Sequence, residues 1–178
     1  MAGPVFADGD VPTGSNFNDY LGAKGLLKTV TSTAGDITVT NSTAEQLIDT
    51  INNIAVGPGC TANRAIKLTW MFMGTVSNLN QFNFKVRAYY KAASSFGTIA
   101  GATQFSNSPM SFDWENFKDD ISTVMFMTSL APATTYSFGL SIQRITTSAS
   151  AVDYAVRGSS DYPRRAYLED AGLGTLIS

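Results

Sequence analysis

Three stretches of this chain alternate apolar and polar residues with a period of two. In Ile66-Lys67-Leu68-Thr69-Trp70-Met71-Phe72-Met73 one face carries Ile66, Leu68, Trp70 and Phe72. In the stretch 82–90 one face carries Phe82, Phe84, Val86, Ala88 and Tyr90, and the other Asn83, Lys85, Arg87 and Tyr89. In the stretch 136–143 Tyr136, Phe138, Leu140 and Ile142 alternate with Ser137, Gly139, Ser141 and Gln143. Successive side chains of a strand point to opposite faces, so this pattern predicts antiparallel strands with one face on a core and one in solvent. A long amphipathic helix is nowhere written; 114–120 holds one short helical turn at most.

Shorter signals fill the gaps. Thr-rich, β-branched 26–33 and 37–40 flank Gly35-Asp36, which predicts two short strands joined by a turn. The segment 45–56 reads two ways. Ser42 and Glu45 fit a helix capping box and Leu47, Ile51 and Ile54 fall at helical spacing, whereas Ile48, Thr50, Asn52 and Ile54 alternate as a strand would. Its strand neighbours favour a strand. Val124-Met125-Phe126-Met127 is apolar on both faces, which suits the centre of a sheet or an interface between subunits. Residues 97–105, 151–157 and 165–169 are further short candidates. About eight to ten strands separated by turn clusters predict an all-β fold, an antiparallel two-sheet sandwich of jelly-roll type.

The period of two starts near residue 26. Before it, Pro4, Gly9, Pro12, Gly14, Gly22 and Gly25 interrupt any regular pattern, so residues 1–25 read as an extended N-terminal arm and 26–178 as the sandwich domain. The arm's apolar residues are few but large: Val5, Phe6, Phe17, Tyr20 and Leu21. A freely solvated tail carries fewer aromatics, so the arm is expected to dock, on its own body or on a neighbour.

Charged residues make up 15% of the chain, well below the roughly 25% of ordinary soluble domains. Gly, Ser, Thr, Asn and Ala take their place, giving the neutral, hydroxyl-rich surface of proteins that pack against copies of themselves. A net charge of −2 offers no electrostatic footprint for nucleic acid. The tight basic pair Arg164-Arg165 lies near Glu169-Asp170 and is expected to make local salt links. No signal peptide or membrane-spanning run is expected, since the first ten residues lack Lys and Arg and no apolar stretch approaches ~18 residues. The single cysteine, Cys60, sits in a turn-like Gly57-Pro58-Gly59-Cys60-Thr61 and reads as a buried or half-buried spectator, consistent with synthesis in a reducing cytoplasm.

The chain has no histidine. That removes the usual general base, the Ser-His and Cys-His dyads and the commonest zinc ligand. No Gly-rich phosphate loop is present. Asp8-Gly9-Asp10 is a fragment of a calcium loop without its remaining ligands. Neither cofactor nor metal is expected. The densest acidic run, 113–120, has the carboxylates a glycosidase would need, yet a solvated loop anchored by Trp114 and Phe117 accounts for it as well. Tyr89, Trp114 and Phe117 are the candidate residues for a partner or receptor surface; Tyr90 and the methionines Met71, Met73, Met125 and Met127 are further candidates.

The two ends carry motifs. Residues 6–21, with Phe6, Gly9, Thr13, Asn18, Tyr20 and Leu21 in place, resemble the opening of small tailed-phage virion proteins; Pro12 and Gly14 stand where those have Leu and Ala. Residues 166–172, Ala-Tyr-Leu-Glu-Asp-Ala-Gly, resemble the Val-Glu-Asp-Ile-Gly ending of the same group. The resemblance implies a non-enzymatic virion-surface protein with a β-sandwich fold. It leads to a capsid decoration protein held by its arm to a major capsid or tail protein and associated with copies of itself, a homotrimer being favoured. The alternative is a minor tail or fibre-type protein whose sandwich binds a host receptor or glycan. Neither involves nucleic acid or membrane insertion.

Overall fold

The computed structural model describes residues 25–39, 43–76, 84–105, 110–112, 118–145 and 154–173. These form eleven strands: β1 Gly25–Ser32, β2 Ile37–Val39, β3 Gln46–Val56, β4 Arg64–Val76, β5 Phe84–Lys91, β6 Thr103–Gln104, β7 Met110–Phe112, β8 Lys118–Leu130, β9 Thr134–Arg144, β10 Tyr154–Val156 and β11 Arg164–Leu173. Every pairing is antiparallel.

The strands make two sheets. In sheet A the order is β1-β11-β4-β8, and the far end of β4 pairs with β10, which in turn pairs with β2. In sheet B the order is β3-β9-β5, with β6 and β7 in tandem on the other edge of β5. The pairings are nested: β5 with β7, β4 with β8, β3 with β9, β2 with β10, and β1 with β11. Working outward they switch from sheet B to A to B to A, the last two sharing sheet A, so the chain behaves as one long hairpin wrapped around a sandwich. That wrapping defines a jelly roll.

The predicted apolar faces make the core. Ile66, Leu68, Trp70 and Phe72 of β4 meet Phe84, Val86 and Ala88 of β5 and Phe138, Leu140 and Ile142 of β9, and all are buried. Rings lock it: Phe84 stacks on Tyr154 with centroids 5.1 Å apart, and Tyr90 meets Phe105 edge-on at 6.4 Å.

The segment 45–56 is a strand, and the cause of its ambiguity is visible. The register with β9 slips between Ile51 and Ile54, where Asn53 takes a φ of 59°. A second register shift lies between Leu47 and Asp49, and together the two irregularities place Ile48, Ile51 and Ile54 all on the core, a spacing of three inside a strand.

The turn expected at Gly35-Asp36 does join two short strands, but they pair elsewhere: β1 pairs β11, β2 pairs β10, and the turn is held by Gly158, whose carbonyl accepts from Gly35 N–H at 3.0 Å. Two expectations are corrected. The segment 97–105 is strand only at Thr103–Gln104. The polar face of β9 is not in solvent: Ser137, Gly139 and Ser141 are buried. The chain after β5 crosses that face and sets Phe96 directly on Gly139, where a Cβ would collide with its ring. Phe96 is 1% exposed, and its N–H donates to Asn52 Oδ1 at 2.9 Å.

Candidate functional site

The nested topology gives the sandwich two poles, about 40 Å apart along the 13-residue strands β4 and β8. At the first pole lie Gly25 beside Asp170, Leu173 beside Arg64, and Arg64 beside Leu130. The segment that precedes β1 leaves from here. At the second pole lie the end of β7 and the start of β8, with Lys118 opposite Thr75. The connection 113–117, with Trp114 and Phe117, joins those two strand ends.

The C-terminal motif closes the first pole. Asp170 and Arg64 are both fully enclosed: Asp170 accepts from Arg64 Nη2 at 2.9 Å and from Nε at 3.1 Å. The same carboxylate takes the N–H of Gly172 at 2.8 Å across a register shift that Gly172 makes with a φ of 106°. The Glu-Asp-x-Gly motif is thus a structural clamp. Glu169, its neighbour, faces outward and pairs with half-exposed Lys67 at 2.8 Å.

A second interior pair ties the sheets together. Arg164 of β11 meets Asp49 of β3 at 3.0 Å, and Trp70 Nε1 donates to the same carboxylate at 3.1 Å. Arg164 also reaches Gly35 O at 2.9 Å and Ser32 Oγ at 2.9 Å. The expected local salt links of Arg164-Arg165 are therefore replaced. Arg164 turns inward to a distant aspartate, and Arg165 projects from the outer face of sheet A.

The outer face of sheet B carries a polar network centred on Glu45. Its carboxylate accepts from Tyr89 OH at 3.0 Å, from Ser141 Oγ, and pairs with Arg87 Nη1 at 3.2 Å. Arg87 also donates to Gln143, whose Nε2 donates to Thr43 O at 2.8 Å. Burial, then the Glu45 hydrogen bond and charge, push the Tyr89 phenol up to about 12. Tyr89 is only 8% exposed, so its expected place on a partner surface is corrected. The overlying segment and Glu45 take up the ring and hydroxyl that alternation alone assigned to solvent.

The outer face of sheet A is different. Met71 and Val124 are 39% and 40% exposed, and Leu26 at its edge is 62% exposed. Tyr167, Phe126 and Met73 are half-buried beside them. Among the described residues β8 pairs only with β4, so Val124–Met127 lies on an edge strand and not in the sheet centre. Met125 points to the core. A cleft of about 420 Å³ opens at the second-pole end of this face, lined by Met71, Met73, Tyr162 and Pro163 with Asp120, Asp161 and Arg165. Another, of about 560 Å³, lies between the edge strands β1 and β3 over the Arg164–Asp49 pair.

Of the residues singled out in the sequence, Val5, Phe6, Phe17, Tyr20, Leu21, Trp114 and Phe117 lie outside the described residues, as does Asp8-Gly9-Asp10. Cys60 is buried at the first pole. Among the described residues no group of three potential metal-binding side chains converges, and no helix is long and apolar enough to cross a membrane. The sequence reading missed both interior ion pairs and the Phe96 cover. Their signal was faint: Arg64 and Asp170 each fall in phase with the apolar residues of their strands.

No family model matches the chain, and no curated protein sequence matches it. Solved structures give remote likenesses. The Eiger TNF structure from S. frugiperda is 8% identical, over 84% of this chain and 92% of that one, with a TM-score of 0.37. A bacterial lipoprotein from Bacteroides thetaiotaomicron is 9% identical, over 83% of this chain and 88% of that one, with a TM-score of 0.29. A deformed wing virus structure is 14% identical, over 97% of this chain and 52% of that one, with a TM-score of 0.26. Likenesses at these scores carry no argument, and the fold assignment stands on the strand pairings themselves.

Proposed function

We propose that this protein is a non-enzymatic structural component of a tailed-phage virion, a capsid decoration protein attached to the particle by its N-terminal arm. One observation carries the reading furthest: the arm leaves the sandwich at Gly25, on the pole opposite the β7–β8 connection. An anchor at one end and presented loops at the other is the division a surface-mounted protein needs. The arm's Val5, Phe6, Phe17, Tyr20 and Leu21 supply apolar anchors, and the motif resemblance at both ends points to the same class of protein. Its partners are a major capsid or tail protein and copies of itself, a trimer being favoured. Repetition on a particle multiplies a weak arm contact through effective concentration.

Deleting residues 1–24 tests this. The truncated chain is expected to stay soluble and folded by circular dichroism while losing binding, in a sedimentation assay, to particles that lack this protein. A truncated chain that still decorates particles at full occupancy overturns the anchor assignment.

A second reading is favoured by Trp114 and Phe117 in the connection at the far pole: a minor tail or fibre-type protein that binds a host glycan. Glycan-array binding by the full chain, lost in Trp114→Ala, would put this reading ahead of decoration.

A further inference from the structure

The sandwich has an open side. Among the described residues β1 pairs only with β11 and β3 only with β9, so both are edge strands, and the cleft of about 560 Å³ lies between them. Val30, Ile37, Leu47 and Ile48 line it, together with the Arg164–Asp49 pair. Near the start of β1, Leu26 is 62% exposed. A bare strand edge offers unpaired N–H and C=O groups to any extended segment that reaches it, and folded proteins generally cover or blunt such edges.

Residues 1–24 join β1 at Gly25, so they are held beside this edge at high effective concentration. Their sequence also matches it. Laid antiparallel to β1 with Leu21 opposite Leu26, the arm sets Tyr20 opposite Leu27, Asp19 opposite Lys28, Asn18 opposite Thr29 and Phe17 opposite Val30. One register thus brings three apolar residues of the arm against the three apolar residues of β1, and Asp19 against the strand's only charge. These are the cross-strand pairs that stabilise a sheet. A slip of one or two residues either way separates Asp19 from Lys28 and leaves at most one apolar pair. The loop that remains, Gly22-Ala23-Lys24-Gly25, has a length hairpins use, and Gly25 has a φ of 137°, which glycine adopts readily. We infer that residues 16–21 pair with the free edge of β1 as an added antiparallel strand of the same chain, with Phe17 at the cleft. Leu27 and Val30 both pack towards the core around the register shift between Leu26 and Lys28, and a strand that follows this shift turns Tyr20 and Phe17 the same way. The inference does not rest on the particle reading: an arm that anchors on a particle leaves this edge to do so, and the test below uses purified protein alone.

Opposed residues of antiparallel strands lie within the Cα range of a disulfide. The full chain carrying Asn18→Cys and Thr29→Cys is therefore expected to form that bond within one molecule under mild oxidation, read by peptide mapping; the native Cys60 is buried and stays in place. The pair Asn18→Cys and Thr33→Cys, with the second cysteine displaced along the same exposed edge, should link about tenfold less. Hydrogen exchange on the full chain gives a second readout. Phe17→Asp, which leaves the sandwich itself untouched, is expected to speed exchange about tenfold at the amides of 27–32 that point away from β11. Asp19→Lys should speed it about threefold, and Asp19→Lys combined with Lys28→Asp should restore it. Equal linking at positions 29 and 33, or exchange that Phe17→Asp leaves unchanged, would overturn the inference. So would a disulfide found only between two chains, since the arm would then seat on a neighbour and not on its own β1.

Discussion

Asp170 is a carboxylate with no access to water, and its guanidinium partner Arg64 has none either. A buried pair is no guarantee of net stability, because removing two charges from water costs several kcal/mol per ion. Removing one member is different, since the other then stays buried without its counter-charge. Asp170→Ala is therefore expected to cost about 3–5 kcal/mol in urea unfolding, while Arg64→Met with Asp170→Leu recovers most of that loss. If the double variant is as unstable as the single, the pair acts through hydrogen bonds such as the one from Gly172, and not as a charge pair. The phase of both residues was legible in the sequence, each in step with buried aliphatics. Their mutual contact was not, because no spacing rule links positions 106 apart. Tyr89 gives a second residue-scale test. Its phenol is raised to about 12, so the neutral form is favoured in the fold. That contribution is fully present below pH ~10, where the unfolded phenol is also protonated, and is lost as pH rises from there through about 12. The stability difference between wild type and Tyr89→Phe should be constant from pH 8 to 9.5 and then shrink as pH rises further. A constant difference up to pH 11.5 would mean that the folded phenol ionises as freely as the unfolded one.

At the scale of elements, the alternation read correctly in β4, β5 and β9 because one face of each really is the core. What alternation cannot report is what covers the other face. In β9 that cover is Phe96, held by Asn52 through a hydrogen bond and by Lys91 over its ring at 5.2 Å. Gly139 is required by the close approach of the ring, not by a turn. Gly139→Ala is expected to destabilise by about 1–3 kcal/mol through overpacking and to speed hydrogen exchange at Ser137 and Ser141. Phe96→Ala should cost about 3–5 kcal/mol, and the combined variant less than the sum, because once the ring is gone the new methyl group meets no obstacle. Strict additivity would show that the two residues do not communicate. Bulges mislead in the same way: the register shifts between Leu47 and Asp49 and around left-handed Asn53 each move the inward phase of β3 by one residue, and the resulting spacing of three imitates a helix.

At the scale of the whole molecule, composition and strand count reached the sandwich, while the wrapping order needed the pairings. The turn at Gly35-Asp36 shows why: it joins two adjacent short strands, as the sequence implies, yet each pairs with a strand far along the chain, β1 with β11 and β2 with β10. The nested order makes a definite prediction about folding. Gly25 is registered opposite Asp170, so a linker of about five residues can join Leu173 to Gly25. Opening the chain instead in the exposed turn 92–95 gives a circular permutant that starts before β6 and ends with β5. Its pairings are again nested, now around the β11–β1 connection, with β3·β9 and β4·β8 enclosing it and β5·β7 and then β5·β6 outermost. The same set of loop closures is required in inverse order, so the permutant should unfold cooperatively with stability within about 1–2 kcal/mol of the parent sandwich and fold on the same millisecond-to-second scale. Stopped-flow refolding and urea titration measure both. A permutant that unfolds cooperatively once formed but refolds orders of magnitude more slowly would locate the start of folding at β5 with β6 and β7, the pairings that permutation turns from the most local into the most remote.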